Sequence, residues 1–339
     1  MASRRRIAWL VAGSVTLALL PRVVPVYFTH LLILTMLYGL AASSLDLLLG
    51  YTGLTSFGHA AYFGMGAYAV GMLTLRFHMP MPLAMVAGIL AAGVLAVLFG
   101  LLATRATQVY FIIITLALGM GLWGLAYRLV LLTGGDNGMP GIPPLDLGFG
   151  WPGRDAVALY YVVLVVVAAT VGGLYRLVHS PFGLTLRGIR ESESRMRMLG
   201  FNTWLHKYVA FVIAGTTGGV AGVLYAAYNG FVSPPDLHLA ASAEEVLMVI
   251  LGGAGTLVGP LVGAGLVVFL RNLVSAYTQR WMLILGGIFI FTVLYAPQGV
   301  LGALQVLMTR RRLGRVVPSS SLASADVPAK RVAGAEERP

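Results

Sequence analysis

The sequence predicts an all-α protein that crosses a membrane several times, and three observations support this prediction. Of its 339 residues, 58% are hydrophobic and only 10% are charged, whereas a soluble globular domain carries about 25% charged residues. Long uncharged runs recur along the chain, and about 20 apolar residues are enough to cross the hydrocarbon core of a bilayer as a helix. The segments of about 10 alternating residues that mark a membrane β-barrel are not found in the sequence.

Nine hydrophobic runs are separated by polar or glycine-rich segments. They cover residues 7–28, 29–49, 57–75, 83–103, 109–132, 156–178, 208–229, 244–270 and 281–305. The eighth run contains ILGGAGTLVGPLVGAG at 250–265, and irregular backbone is tolerated at membrane depth where protein buries it or water lines it. We expect this run to break into two short helices that enter and leave the membrane on the same side. The residues expected to break it are Gly252, Gly253, Gly255 and Pro260.

The distribution of Lys and Arg predicts how the bundle is oriented. With a cytoplasmic N-terminus, the inside segments hold 17 of the 23 basic residues, as the positive-inside rule requires. This places 179–207 in the cytoplasm and 133–155 outside. Eight full crossings and one re-entrant pair then bring both termini to the cytoplasmic side, with a membrane domain at 1–309 and a basic, disordered tail at 310–339. The basic start and short apolar run of residues 1–20 would also fit a cleaved signal peptide, although an uncleaved first span is favoured.

The stretch GYTGLTSFGHAAYFGMGAYAVG at 50–71 places glycine and histidine where a lipid-facing helix would carry leucine. Its glycines fit close helix packing in the membrane. His59 and Tyr62 are three residues apart, on one face of a helix, and ionisable groups inside a bilayer face a cavity or a partner. We therefore consider a solute-pathway lining, with an interhelical hydrogen bond as the alternative. The candidate pathway residues are Tyr51, Gly53, Ser56, His59 and Tyr62.

Three acidic residues lie near the predicted ends of apolar runs: Asp46, Glu244 and Glu245. We expect all three to sit at the membrane interface. His59 would then be the only ionisable residue deep in the bilayer.

The segment SPFGLTLRGIRESESRMRMLGFNTWLHK at 180–207 predicts an amphipathic helix on the cytoplasmic side. Ile189, Met196 and Leu199 form its apolar stripe, and Glu191–Arg195 and Glu193–Arg197 are favourable i,i+4 pairs. A terminal glycine then ends the helix. Such a helix could lie on the anionic leaflet, but a capped helix in so long a loop favours a docking surface for a cytoplasmic partner. The residues assigned to that surface are Arg187, Arg190, Glu191, Glu193, Arg195 and Gly200.

Several of these segments together resemble the permease subunits of branched-chain amino acid ABC importers of the Liv type. They are LLLGYTGLTSFGHAAYFGMGAYAVG, TGGDNGMPGIP, SPFGLTLRGIRESESRMRMLGFN and KYVAFVIAGTTGGVAGVLYA, within residues 35–305. The resemblance implies a bacterial inner-membrane subunit that works with a second related permease, two cytoplasmic ATPases and an extracytoplasmic solute-binding protein. It also implies that 191–200 corresponds to the EAA-type loop that docks into an ATPase cleft, although Arg195 and Met196 stand where the family usually has alanine.

The sequence argues against chemistry on this chain. It has no G-x-x-x-x-G-K-[ST] loop, no H-E-x-x-H pair and no cysteine, so we expect no catalytic residues, no metal site and no bound cofactor. The basic residues flank hydrophobic runs, which indicates contact with lipid and not with nucleic acid. Two alternatives stay open: an ABC permease for urea or short amides, and an ion-coupled secondary transporter, which would need ion-binding residues at the bilayer midplane.

Overall fold

The computed structural model describes residues 20–145, 155–278, 280–295 and 299. The described chain is mostly helical, as predicted. Its helices are α1 Val26–Asp46, α2 Ala60–Leu75, α3 Met81–Ala103, α4 Gln108–Arg128, α5 Val130–Thr133, α6 Ala156–Val178, α7 Pro181–Glu191, α8 Glu193–Met198, α9 Thr203–Asn229, α10 Leu239–Gly252, α11 Gly259–Ser275 and α12 Trp281–Tyr295.

Five of these helices are long and apolar enough to cross a membrane. They are α1 with its π-helical extension Leu47–Thr52, α3, α4, α6 and α9. Two more apolar helices, α2 and α11, are shorter. The mostly helical fold is therefore confirmed, and the five helices agree with a membrane protein. The number of eight full crossings stays a prediction. The expected boundary between residues 28 and 29 is wrong, since α1 begins at Val26, directly after Pro25.

The bundle has central and peripheral helices. The candidate spans of α1 and α9 are 78% and 72% buried within the chain, against 22–28% for α3, α4 and α6. Glycine allows α9 to lie close to its neighbours: a Cβ at Gly219 would collide with Ala92 of α3, and one at Gly222 with the carbonyl of Phe63 on α2. Small residues at such contacts let helix backbones approach closely in lipid. The peripheral helices thus keep broad apolar surfaces for lipid or protein partners.

The glycine-rich segment that follows α5 packs against the connection between α9 and α10. Strands β1 Met139–Pro140 and β2 Phe231–Val232 form a two-residue antiparallel pair in which Met139 lies opposite Val232. Short 3-10 turns at Gly135–Asn137 and Pro234–Leu237 flank the pair. This small sheet is an exception to the all-α prediction. Residues 146–154 of the predicted outer loop, and the tail at 310–339, lie outside the described residues.

Candidate functional site

Two helix breaks come together near one end of the bundle. In the first, the π-helical turn after α1 ends at Gly53, whose φ is +74°, and α2 begins only at Ala60. In the second, α10 ends at Gly252 and α11 begins at Gly259. Between them, Gly253 and Gly255 have φ of +110° and +85°, a region that residues with a Cβ rarely adopt. Pro260 lies in the first turn of α11, where its missing N–H removes no helical hydrogen bond.

Asp46 joins the two breaks. Its carboxylate accepts hydrogen bonds from the backbone N–H groups of Gly255 and Leu257, at 2.7 and 3.0 Å. Ser43, on the preceding turn, donates to the carbonyl of Leu257 at 2.8 Å. The side chain of Asp46 is fully buried within the protein, where it satisfies backbone groups that a helix break leaves without partners. Its expected depth at the membrane interface stays a prediction. A carboxylate within an apolar span is itself a signal of function, and it could have marked this residue.

Arg190 connects α7 to this pair of breaks. Its guanidinium donates to the carbonyl oxygen of Gly50, lies beside Gly255, and attracts the Asp46 carboxylate electrostatically. The aliphatic part of the same side chain lies beside Gly53. One turn earlier, the guanidinium of Arg187 lies 5.1 Å from the ring centroid of Tyr51, within the distance of a cation–π contact. We call Asp46, Gly50, Arg190 and the 253–258 segment the junction.

The predicted single helix between Pro181 and Gly200 is wrong. Ser192 has extended backbone (φ −163°, ψ 101°) and divides the segment into α7 and α8, and its hydroxyl accepts a hydrogen bond from the N–H of Arg195 as an N-cap. In the described chain Glu191 and Arg195 form no ion pair, because the break removes their helical spacing. Glu193 and Arg197, both in α8, do form the expected i,i+4 pair at 2.5 Å.

Glu193 holds α8 against the start of α9. Its Oε1 accepts hydrogen bonds from Lys207 at 2.9 Å and from Thr203 at 3.1 Å, in addition to the one from Arg197. Lys207 is only 4% exposed, so Glu193 compensates a buried ammonium. Burial acts to raise the pKa of Glu193, but the hydrogen bonds from Lys207 and Arg197 outweigh it and hold the pKa below its ordinary value. This cluster fixes the orientation of α8, which makes few other contacts.

Replacing Glu193 with Gln is expected to lower the free energy of unfolding by about 1–3 kcal/mol at pH 7, since the buried Lys207 loses its counter-charge. Because the folded-state pKa is depressed, the stabilisation is present above the unfolded-state pKa and is lost as the pH falls through the folded-state pKa. Thermal unfolding in detergent should therefore show a difference between variant and wild type that shrinks from pH 7 toward pH 3. Glu191→Gln, at an exposed position, is the matched control; an equal loss there would contradict the assignment.

The loop also exposes large apolar side chains. Leu184 is 63% exposed, Met198 80% and Leu199 71%. Of the predicted apolar stripe, Ile189 is buried and Leu199 is exposed, and the break at Ser192 divides the helix that was expected to carry it. Gly200 then turns the chain toward α9 with a φ of +86°. Exposed apolar residues among arginines favour a protein-binding surface over a solvated loop.

The candidate pathway residues lie mostly inside the protein. Tyr51, Ser56, His59 and Tyr62 are at most 3% exposed, and Gly53 is exposed beside Arg190. Nε2 of His59 lies 2.7 Å from the hydroxyl of Ser44 on α1. The hydroxyl proton of Ser44 is used by the carbonyl of Ala41, so Nε2 is the donor. The interhelical hydrogen bond, the alternative to a pathway lining, is therefore formed in this conformation.

The chain is similar to proteins with a known transport role. The family model described as branched-chain amino acid transport system / permease component matches residues 27–294. The high-affinity branched-chain amino acid transport system permease protein LivM of Escherichia coli K12 is 32% identical over 294 residues, which cover 79% of this chain and 68% of LivM. BraD, a permease protein of the same kind of system in Pseudomonas aeruginosa, is 24% identical over 79% of this chain and 92% of its own.

A further relative is named for a different substrate. The autoinducer 2 import system permease protein LsrC of Escherichia coli O157:H7 is 28% identical over 80% of this chain and 79% of its own. No solved structure gives a match. These similarities span nearly all the helices described above, including both helix breaks and the α7–α8 loop.

Proposed function

The chain belongs to the family of permease components of branched-chain amino acid transport systems, and we propose that it is the membrane permease subunit of an ATP-driven importer for branched-chain or related amino acids. It works in a bacterial inner membrane with a second, related permease, two cytoplasmic ATPases and an extracytoplasmic solute-binding protein. Both of its termini face the cytoplasm.

The contact between Arg190 and the two helix breaks is the observation that carries this proposal. An import permease must convey the state of the ATPases from an exposed loop to the part of the bundle that opens and closes. Here the exposed loop formed by α7 and α8 supplies a side chain that reaches the carbonyl of Gly50 and lies beside Gly255. The loop can therefore transmit movement directly to the breaks in α1–α2 and α10–α11.

The mechanism that fits this geometry is alternating access. ATPases that close on the α7–α8 surface would shift Arg190, and the junction would change its backbone pairing because Asp46 holds the second break through two backbone N–H groups. Helix breaks are suitable hinges, since a few residues at element ends absorb large φ/ψ changes. The pathway through the bundle opens in this scheme only when the junction rearranges, which agrees with the buried state of His59 and Tyr62.

Uptake by the assembled transporter tests the proposal. The subunit is reconstituted in proteoliposomes with a second permease and ATPase subunits from the same organism, and labelled leucine is supplied with the binding protein. Uptake is expected only with ATP on the ATPase side and the binding protein on the other. Leucine uptake driven by an ion gradient without ATP, or uptake of urea that leucine does not compete with, would contradict the proposal.

A further inference from the structure

A pocket of about 410 Å³ opens at the other end of α9 from the junction. It lies where α1, α2, α4, α10 and α11 meet the turn Pro234–Leu237. Small-molecule sites have volumes of roughly 300–1,000 Å³, so the pocket suits a ligand of amino-acid size. In the predicted orientation it opens on the extracytoplasmic side, where solute would be delivered.

Aromatic side chains line the pocket on two sides. Tyr38, Phe63 and Tyr225 pack together with ring centroids 5.1–5.9 Å apart. On the other side, Trp123 lies edge-on to His238 at 5.2 Å. With the buried Met248, these rings provide an apolar surface for an aliphatic side chain.

The charged groups in the pocket are of both signs, and most have protein partners. Nη1 of Arg271 lies 3.4 Å from the carboxylate of Glu244. Asp236 accepts hydrogen bonds from the N–H of Ser233 at 2.9 Å and from the hydroxyl of Tyr225 at 3.5 Å. Arg271 is the only arginine or lysine among the described residues that line the pocket.

Glu245 differs from these groups. It lines the pocket, is 4% exposed, and its buried Oε2 accepts no hydrogen bond from any residue that the structure describes. A buried carboxylate without a donor is costly. The expectation that Glu244 and Glu245 lie at the membrane interface stays a prediction, but Glu245 is buried within the protein. Its unpartnered carboxylate could accept a hydrogen bond from a ligand.

We propose that this pocket binds an α-amino acid as a zwitterion, with its ammonium group on Glu245, its carboxylate on Arg271 and its aliphatic side chain against Phe63 and Met248. This assignment rests on the proposed function and names the chemistry by which this chain itself selects its solute. A ligand that carries both an ammonium group and a carboxylate would use an acidic residue and an arginine in the same pocket. The apolar surface between them selects for an aliphatic side chain.

The pocket is connected to the junction through α1. Tyr38, Ser44, Asp46 and Gly50 follow one another along this helix and its π-helical extension, and Tyr38 and Asp46 are about 12 Å apart at 1.5 Å per residue. The α10 helix carries Glu245 at the pocket and ends at Gly252, where the second break begins. A ligand in the pocket therefore contacts both helices that end at the junction.

Fluorescence titration of the assembled transporter in nanodiscs, without the binding protein, tests the site. Leucine is expected to change the emission of Trp123 saturably, and Trp123→Phe should abolish the change. Glu245→Gln should raise the Kd for leucine at least ten-fold but leave the Kd for 4-methylpentanoate unchanged. Arg271→Gln should raise the Kd for leucine by the same factor but leave the Kd for 3-methylbutylamine unchanged. Asp155→Asn, at an exposed helix cap outside the pocket, is the control and should bind as wild type.

The outcomes separate this inference from the proposed function. Wild-type affinity for leucine in Glu245→Gln, a signal that persists in Trp123→Phe, or binding of 3-methylbutylamine as tight as that of leucine would overturn the zwitterion site. ATP-dependent leucine uptake by the wild-type complex would leave the proposed function standing in each of these cases. Absence of that uptake would instead refute the proposed function.

Discussion

Replacing Arg190 with Ala is expected to reduce leucine uptake by the assembled transporter at least ten-fold while ATP hydrolysis continues near its wild-type rate. Arg190 is the residue of α7 that reaches the carbonyl of Gly50. In the proposed mechanism, ATPases can still dock on the exposed loop of this variant, but their movement no longer acts on the junction. The measurement is the ratio of leucine transported to ATP hydrolysed in proteoliposomes.

Two further variants make this result specific. Arg190→Lys keeps the charge but loses the planar fork of donors, so we expect an intermediate ratio. Arg176→Ala removes an exposed arginine at the end of α6, near the same loop, and should transport normally. Wild-type transport per ATP in Arg190→Ala, at equal amounts of the subunit in the membrane, would refute a coupling role for this contact.

The sequence predicted the positions of the helix breaks because their causes are local. Glycines with positive φ and a proline in the first turn of a helix are properties of single residues, so the end of α10 at Gly252 and the start of α11 at Gly259 follow from composition. The long apolar runs likewise predicted the long helices, since a helix needs about 20 apolar residues to cross the hydrocarbon core of a bilayer.

The pairing of the two breaks could not be predicted in the same way. Asp46 and Gly255 are 209 residues apart, and no local pattern indicates which backbone N–H a buried carboxylate will satisfy. For the same reason the sequence did not show that packing of α10 buries Glu245 within the protein. The break at Ser192 was missed because Ser is tolerated within helices as well as at N-caps, and the i,i+4 charges around it favoured a continuous helix.

Replacing Asp46 with Ala is expected to abolish transport and to lower the free energy of unfolding by about 2–6 kcal/mol. The substitution leaves the N–H groups of Gly255 and Leu257 buried without acceptors, and each unsatisfied group costs about 1–3 kcal/mol. Thermal unfolding in detergent and leucine uptake in proteoliposomes measure the two effects.

A graded series separates the loss of hydrogen bonds from the loss of volume. Asp46→Asn keeps one oxygen that accepts from a single N–H group, so its stability should fall between that of Asp46→Ala and wild type. Ser43→Ala removes only the neighbouring bond to the carbonyl of Leu257 and is expected to cost about 1 kcal/mol. If Asp46→Ala unfolded at the wild-type temperature, the two hydrogen bonds of Asp46 would contribute nothing to the stability of the junction. The bond from Ser43 to Leu257, the contacts of Arg190 and packing would then hold the two breaks together.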